Sequence, residues 1–221
     1  GKGHLVRELD ALGGEMARAA DAACIQYRLL NRGKGPAVHS LRAQADRRKY
    51  QQVMKHTLER QENLTLRQGE VVDIRCENGA VSAVVLHTGA VFPVRAAILC
   101  TGTYLSGRTI VGECVREGGP DGMFAAAALT DRLRALGLSL RRFKTGTPPR
   151  VNRRSVDFSK MELQEGDAET LPFSFETTSK PVNRAVCYLT YTTEETHRII
   201  RENLCRSPMH AGVIEGVGPR Y

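Results

Sequence analysis

The sequence predicts an α/β fold, and three observations lead to this expectation. Apolar residues three and four positions apart predict an amphipathic helix near the start of the chain. From Leu64 the period changes to two, as in short strands joined by hairpin turns at Asn78-Gly79 and Thr88-Gly89. Residues 96–100 are small or apolar without alternation, which is typical of a strand buried on both faces of a parallel sheet.

The remaining elements follow in chain order. The first helix is interrupted at Gly13 and Gly14, and a Gly/Lys/Arg-rich loop leads into a second predicted helix. The predicted segments are a loop at 31–38, a helix at 42–60, strands near 64–66, 71–74, 81–86 and 91–94, a glycine-rich loop at 107–122, a helix at 123–136 ended by Gly137, a strand at 138–143, a strand at 186–191 and a helix at 196–204 capped by Thr192 or Thr193.

Composition and charge limit the classes of function that fit this chain. The chain has 221 residues, 41% of them hydrophobic and 25% charged, which is ordinary for a globular protein with a sizeable core. Its net charge of +8 suits a polyanionic partner such as nucleic acid, and a solvated basic surface is the alternative. No apolar stretch is long enough to span a membrane, and the sequence shows no signal or transit pattern at its start.

Several kinds of site are not supported by the sequence. The six cysteines are scattered without a C-x-x-C pair, which argues against a zinc site or disulfide scaffold and for a reducing compartment. The six histidines lack the spacing of metal ligands, so no metal site is expected. No P-loop motif and no complete G-x-G-x-x-G motif after a strand is present.

Glycine/threonine turns at the predicted strand ends are the candidate binding features. One turn is formed by residues 101–103, and a second, at 145–147, lies between Lys144 and Arg150. Backbone amides in such turns bind phosphate, and basic side chains complete the charge pairing. This chemistry fits a dinucleotide cofactor and RNA equally, and the low aromatic content of 5% gives no stacking platform for single-stranded RNA.

Three stretches carry a family resemblance. They are NRGKGPAV at 31–38 with RAQADR at 42–47, FKTGTPPR at 143–150, and RSPM at 206–209 with GVGPRY at 216–221. On these motifs the chain resembles the GidA (MnmG) family of tRNA-modifying flavoproteins from end to end. The resemblance implies part of an FAD/NAD(P)-binding, glutathione-reductase-like, Rossmann-type α/β domain with a β-meander, plus part of an inserted α+β domain. The texture changes after Pro148-Pro149, so we expect residues 1–150 to be a partial FAD-binding domain without its first βαβ unit, and residues 151–221 a partial insertion or NAD-associated domain.

The resemblance also implies an activity. Members of this family act with the GTPase MnmE to add an aminomethyl or carboxymethylaminomethyl group to carbon 5 of the tRNA wobble uridine. They use FAD, NADH, methylene-tetrahydrofolate as carbon donor, and ammonium or glycine. They are homodimers, and a cytoplasmic location without membrane association is expected. The alternatives are a folate- and FAD-dependent tRNA uridine methyltransferase and a non-catalytic tRNA-binding module; the motifs KGPA at 34–37 and RAQADR favour GidA.

Candidate site residues follow from the same resemblance. Positions that match cofactor contacts are Val71, Thr101, Gly102, Thr103 and Ala126 for FAD, and Gly218, Pro219, Arg220 and Tyr221 for NAD. Ala126 lies where the family often has serine, so only a main-chain contact is expected there. Residues 118–122 depart from the family pattern, which puts flavin contacts in that loop in doubt. Candidates for tRNA or cofactor phosphates are Arg42, Arg47, Lys144 and Arg150, with ordinary surface charge as the alternative.

No catalytic residue is assigned. The resemblance implies that the FAD pyrophosphate motif lies upstream of Gly1, and that the functional cysteines lie just before Gly1 and just after Tyr221. None of the six cysteines in the chain occupies either place. We therefore expect the 221-residue piece to be inactive alone and to retain FAD weakly or not at all.

Overall fold

A computed structural model describes residues 2–212 together with residues 214, 216 and 218. Within this part of the chain lie five helices and nine strands. The helices are α1 (Gly3–Ala11), α2 (Met16–Ala23), α3 (Arg47–Arg60), α4 (Ala127–Ala135) and α5 (Glu194–Glu202). The strands are β1 (Cys24–Leu30), β2 (Ser40–Ala45), β3 (Val71–Glu77), β4 (Ala80–Leu86), β5 (Val91–Pro93), β6 (Arg108–Val111), β7 (Cys114–Glu117), β8 (Glu162–Gln164) and β9 (Cys187–Leu189).

The chain forms two compact units from alternating segments. The first gathers the residues up to Leu66 with Pro149–Tyr191, and the second gathers Arg67–Pro148 with the described residues from Thr192 to Gly218. The change of unit at Pro149 lies beside the boundary that the sequence predicts near residue 150. The functional assignment of residues 1–150 and 151–221 to an FAD-binding domain and an insertion stays a prediction.

The first unit is built on the antiparallel ribbon of β1 and β2. Small residues of α2 allow close packing beside this ribbon, since Ala17 and Ala19 are fully buried and Ala23 nearly so. Tyr27 of β1 is also buried. The break that the sequence predicts between the first two helices is confirmed at Gly13, whose φ of 85° lies in the left-handed region that glycine adopts readily.

The second unit contains the predicted meander. Strands β3, β4 and β5 form an antiparallel sheet in that order, and α4 packs on it through a core of Ile74, Leu129 and Leu133. The hairpin between β3 and β4 is confirmed, because Asn78 and Gly79 both have positive φ, as a two-residue turn requires. The predicted end of α4 at Gly137, with φ of 87°, is confirmed as well.

The prediction of a buried strand at residues 96–100 is wrong for this structure. These residues form no strand and are exposed, with Ile98 at 89% of its full accessibility. A wholly apolar strand is stable only between two neighbouring strands that satisfy its backbone and cover its faces. The described strands pair only with one another, and none of them pairs with this segment.

Four further segments differ from expectation. Residues 40–45 form strand β2, and the helix predicted from residue 42 begins only at Arg47, where Asp46 caps it by accepting a 3.0 Å hydrogen bond from the Lys49 amide. The loop predicted at 107–122 contains the hairpin β6–β7. Residues 64–66 and 138–142, predicted as strands, lie outside the described strands. Strand β2 depends on its pairing with β1, which local periodicity does not record. The β6–β7 hairpin is local, with Gly112 in the left-handed region at its turn.

The C-terminal helix agrees with its predicted cap. Thr193 precedes α5 and accepts from the Thr196 amide, while the Thr196 hydroxyl accepts from the Thr193 amide. This reciprocal pair is a capping box in which threonine replaces the more common glutamate.

Candidate functional site

Val71 and Ala126, both predicted to contact cofactor, lie close to α4 in the second unit. Val71 begins β3 and packs against the core that α4 forms with the meander. Ala126 is the residue immediately before α4. Leu105 packs on the same core, which places the segment after the Thr101–Thr103 turn beside this helix. The structure therefore brings Val71, Ala126 and that segment into one neighbourhood.

The backbone of Ala126 is held by the segment that follows the turn. Leu105 and Ala126 form a parallel bridge. The Ala126 amide donates to the Tyr104 carbonyl over 2.9 Å, and the Ala126 carbonyl accepts from the Ser106 amide at 3.3 Å and from Thr130 Oγ1 at 3.0 Å. Since both polar backbone atoms are engaged within the protein, a cofactor beside Ala126 would meet its methyl group.

The Thr101–Thr103 turn is open to an approaching group. A hydrogen bond stabilises the turn, in which the Tyr104 amide donates to the Thr101 carbonyl over 3.1 Å. Gly102 has φ of 53°, and the space where a Cβ would lie contains only the edge of the Tyr104 ring at 4.0 Å. Within the described residues, the amides of Gly102 and Thr103 donate to no acceptor. These amides can bind oxygen atoms of a ligand.

Closely packed glycines lie next to the turn. A Cβ at Gly107 would lie 2.6 Å from the Gly118 carbonyl oxygen and 2.7 Å from that of Thr103. Gly119 is buried, and its amide donates to the Met123 carbonyl over 2.7 Å. Residues 118–122, which depart from the family pattern, thus have a packing role in this structure. Loss of a flavin contact there is compatible with that role.

The four predicted phosphate contacts are divided between the two units. Arg42 and Arg150 belong to the first unit and Lys144 to the second, while Arg47 is exposed at the start of α3 in the first unit. Lys144 is half-buried and Arg150 is exposed. Arg42 differs from the others because it lies inside the β1–β2 ribbon, directly opposite Arg28.

The predicted NAD contacts fall at the end of the chain. Gly218 is exposed, and Pro219, Arg220 and Tyr221 lie outside the described residues. Their role stays a prediction.

Sequence reasoning missed a basic cleft in the first unit. It has a volume of about 570 Å³, which is in the range of small-molecule sites, and combines apolar and cationic walls. Its lining includes Leu29, Leu41, Leu171, Arg7, Arg32, His39 and Lys180. Two of the cations already have partners, because Arg32 pairs with Asp167 at 2.8 Å and Arg7 stacks on Phe175 at 4.2 Å. No sequence signal marks this cleft, since its walls come from segments about 140 residues apart.

Two buried groups of β1 have shifted proton affinities. Burial raises the pKa of Tyr27, and the negative charge of Asp21 raises it further. Burial also raises the pKa of the Cys24 thiol. Both groups therefore stay protonated at neutral pH, and the Cys24 thiol is poorly suited to act as a nucleophile.

The described residues contain neither a membrane-spanning helix nor a cluster of metal ligands. No described helix has the length and apolarity that crossing a bilayer requires. No group of three or more His, Cys, Asp or Glu side chains in the described part of the chain is placed to hold a metal ion.

Comparison with known proteins identifies relatives over the whole chain. The family model described as glucose inhibited division protein A, GidA, matches residues 1–221. The tRNA uridine 5-carboxymethylaminomethyl modification enzyme MnmG of Caldicellulosiruptor saccharolyticus is 62% identical over 221 residues. The enzyme of the same name from Clostridium botulinum strain Okra is 57% identical over 220 residues. In both cases the match covers 100% of this chain and 35% of the relative, so the chain spans about a third of their length.

A solved structure shows the same fold. The GidA of Aquifex aeolicus in its form I crystal superposes with a TM-score of 0.89 at 44% sequence identity, over 99% of this chain and 38% of that protein. The predicted fold class, part of a Rossmann-type α/β protein with a β-meander, is confirmed by this likeness. The predicted family is confirmed by the whole-chain match: the chain belongs to the GidA family.

Proposed function

We propose that the chain is part of an FAD-dependent enzyme that modifies carbon 5 of the wobble uridine in tRNA. The observation that carries the proposal is identity of 57–62%, along the full chain, to relatives named as tRNA uridine 5-carboxymethylaminomethyl modification enzymes. The open turn at Gly102 beside Val71 and Ala126 supports it, because it offers a ligand unengaged amides next to an apolar wall.

The residues around α4 fit one side of an FAD site. The amides of Gly102 and Thr103 would hold cofactor oxygens, while Val71 and the Ala126 methyl group would contact an apolar ring face. The close packing of Gly107 against the Thr103 and Gly118 carbonyl oxygens holds the turn in position without a ligand. When bound, FAD supplies the redox chemistry, and the chain supplies position and charge.

The remaining participants belong to the same proposal. NADH as reductant would contact residues 218–221, and methylene-tetrahydrofolate would supply the carbon. The GTPase MnmE would be the partner of a homodimer that works in the cytoplasm. The net charge of +8 supports tRNA binding, with Arg42, Arg47, Lys144 and Arg150 as contacts to its phosphates or to those of a cofactor.

Nucleoside analysis of a deletion strain tests the activity. Deleting the gene that encodes the chain should abolish 5-carboxymethylaminomethyl or 5-aminomethyl uridine derivatives at the wobble position, as measured by mass spectrometry of digested tRNA. Persistence of these nucleosides with loss of a 5-methylated uridine would instead show a tRNA methyltransferase. Unchanged tRNA in which no uridine modification is lost would leave only the non-catalytic binding module.

A pair of glycine variants tests the FAD site in a protein of the relatives' full length that carries this chain. Gly102→Ala and Gly89→Ala both place a Cβ on a backbone with positive φ, at 53° and 85°, so both should lose similar stability. Gly102 alone lies in the proposed site. We expect Gly102→Ala to lower FAD retention, measured by absorbance at 450 nm, and Gly89→Ala to leave it unchanged. Equal retention in both variants would place FAD elsewhere.

A further inference from the structure

Two positive charges lie side by side on the β1–β2 ribbon. Arg28 and Arg42 are directly opposite each other in the antiparallel register. Side chains at such positions leave the same face of the ribbon, with Cβ atoms about 5 Å apart. Both side chains are half-buried. Because like charges in this arrangement oppose folding, the pair needs an explanation other than stability.

The protein acceptors of these two guanidinium groups are neutral. Arg28 Nη1 donates to Gln164 Oε1 over 2.8 Å, and Arg42 Nη2 donates to Gln26 Oε1 over 3.2 Å. Neither arginine forms an ion pair with a carboxylate of the described residues. The Nε atom of each is shielded from solvent and has no hydrogen-bond partner in the described structure. Each guanidinium has further Nη donors beyond the one that its glutamine receives, and these remain for another group.

A buried glutamine holds the arrangement in place. Gln26 is 1% exposed, and its Nε2 donates to the Gln164 carbonyl over 3.1 Å and to the Ala185 carbonyl over 3.4 Å. This orientation points its Oε1 towards Arg42. The residue that receives Arg28, Gln164, is therefore tied by its backbone to the residue that receives Arg42. The two guanidinium groups are positioned together through this connection.

We propose that Arg28 and Arg42 form a binding site for a single phosphate group. Guanidinium groups bind phosphate oxygens through paired N–H donors, and two adjacent cations match the one to two negative charges of a phosphate. The site adds Arg28, Gln26 and Gln164 to the candidate Arg42. It rests on the proposed function only for the source of the phosphate, which is a nucleotide cofactor or the tRNA backbone.

Thermal unfolding with inorganic phosphate tests the site itself. The chain is titrated with potassium phosphate against potassium chloride of equal ionic strength. We expect phosphate to raise the unfolding midpoint by roughly 5–10 °C at a hundred times its dissociation constant. Arg28→Gln and Arg42→Gln should each lose this response. Arg48→Gln removes an exposed charge from α3 and should keep it.

The same measurement separates lost binding from lost folding. In chloride alone, Arg28→Gln and Arg42→Gln should unfold at the wild-type temperature or above it, because each removes one of two like charges. Arg42→Lys keeps the charge but not the planar fork, so its phosphate response should be reduced and not abolished. The proposal is overturned if wild-type protein responds equally to phosphate and chloride, or if both glutamine variants respond to phosphate as wild-type does.

Binding of larger ligands identifies the source. A protein of the relatives' full length that carries this chain, as wild-type and as Arg28→Gln, is assayed for its affinity for FAD, NADH and a tRNA anticodon stem–loop. A cofactor phosphate predicts about tenfold weaker binding of one dinucleotide with unchanged RNA affinity, and a tRNA phosphate predicts the reverse. If the inorganic phosphate response is lost but all three affinities are unchanged, the site stands and its link to the proposed function is wrong.

Discussion

The hydroxyl of Tyr27 donates a 2.9 Å hydrogen bond to Oδ1 of Asp21. The same carboxylate accepts from the Phe173 amide at 2.8 Å and from the Ser174 amide at 2.9 Å. Asp10 adds a 2.8 Å bond from the Phe175 amide. Carboxylates of α1 and α2 thus bind the backbone of residues 173–175, about 150 residues away in the chain. These hydrogen bonds hold the two segments of the first unit together.

Replacing Asp21 tests the contribution of its hydrogen bonds to stability. Asp21→Asn substitutes an NH₂ group for one accepting oxygen, so a half-buried donor from Tyr27 or residues 173–174 loses its acceptor. We expect a loss of about 1–3 kcal/mol in the free energy of unfolding, measured by urea denaturation. Asp131→Asn is the control, because its pair with Arg134 is exposed and should contribute less than about 1 kcal/mol. Equal losses in the two variants would contradict a special role for Asp21.

The raised pKa of Tyr27 predicts an alkaline limit to stability. The folded state keeps the Tyr27 proton, whereas the unfolded state releases it above a pH near the ordinary value of 10.0. The contribution of Tyr27 to the free energy of unfolding is therefore fully present below about pH 10. It declines above that pH by about 1.4 kcal/mol per pH unit for one proton. Urea denaturation at pH 9, 10 and 11 should show a shallower decline for Tyr27→Phe than for wild-type protein. Parallel profiles would show that Tyr27 does not carry the dependence.

Gly107 is predicted to tolerate no side chain. A Cβ there would lie 2.6 Å and 2.7 Å from two backbone carbonyl oxygens, which cannot move aside as a flexible side chain would. Gly107→Ala should lower the free energy of unfolding by about 1–3 kcal/mol. The matched variant Gly146→Ala, where no atom lies within 4 Å of the new Cβ, should change it by less than about 0.5 kcal/mol. A neutral Gly107→Ala would show that the packing around residues 103 and 118 is looser than described.

The cap of α5 predicts a local effect. Thr193→Ala removes the acceptor of the Thr196 amide and should destabilise the helix by about 1 kcal/mol. Because the side chains of α5 include none that are fully buried, hydrogen exchange of its amides is the suitable measurement. Amides of α5 should exchange roughly fivefold faster, and Thr193→Ser should restore protection. Unchanged exchange in Thr193→Ala would show that the cap contributes nothing.

Local chemistry explains which elements the sequence predicts correctly. The Asn78-Gly79 turn, the helix end at Gly137 and the cap at Thr193 each depend on residues within four positions of one another. The strand predicted at residues 96–100 fails for the opposite reason, because its stability depends on neighbours that periodicity does not reveal. Residues 42–45 of strand β2 were predicted as helix, since the pairing partner β1 begins 16 residues earlier in the chain.

The sequence by itself determined the family, the meander, the helix end at Gly137, the cap at Thr193 and the glycine turn proposed for FAD, because short motifs and backbone preferences carry these features. Only the tertiary structure decided that Arg28 faces Arg42, that Gln164 accepts hydrogen bonds from Arg28 and Gln26, and that Asp21 accepts hydrogen bonds from the amides of residues 173 and 174. Strand register and long-range packing set these contacts. Arg42 could be singled out as a basic residue, but its neighbour Arg28 was identified only from the strand register, which places two like charges on one face.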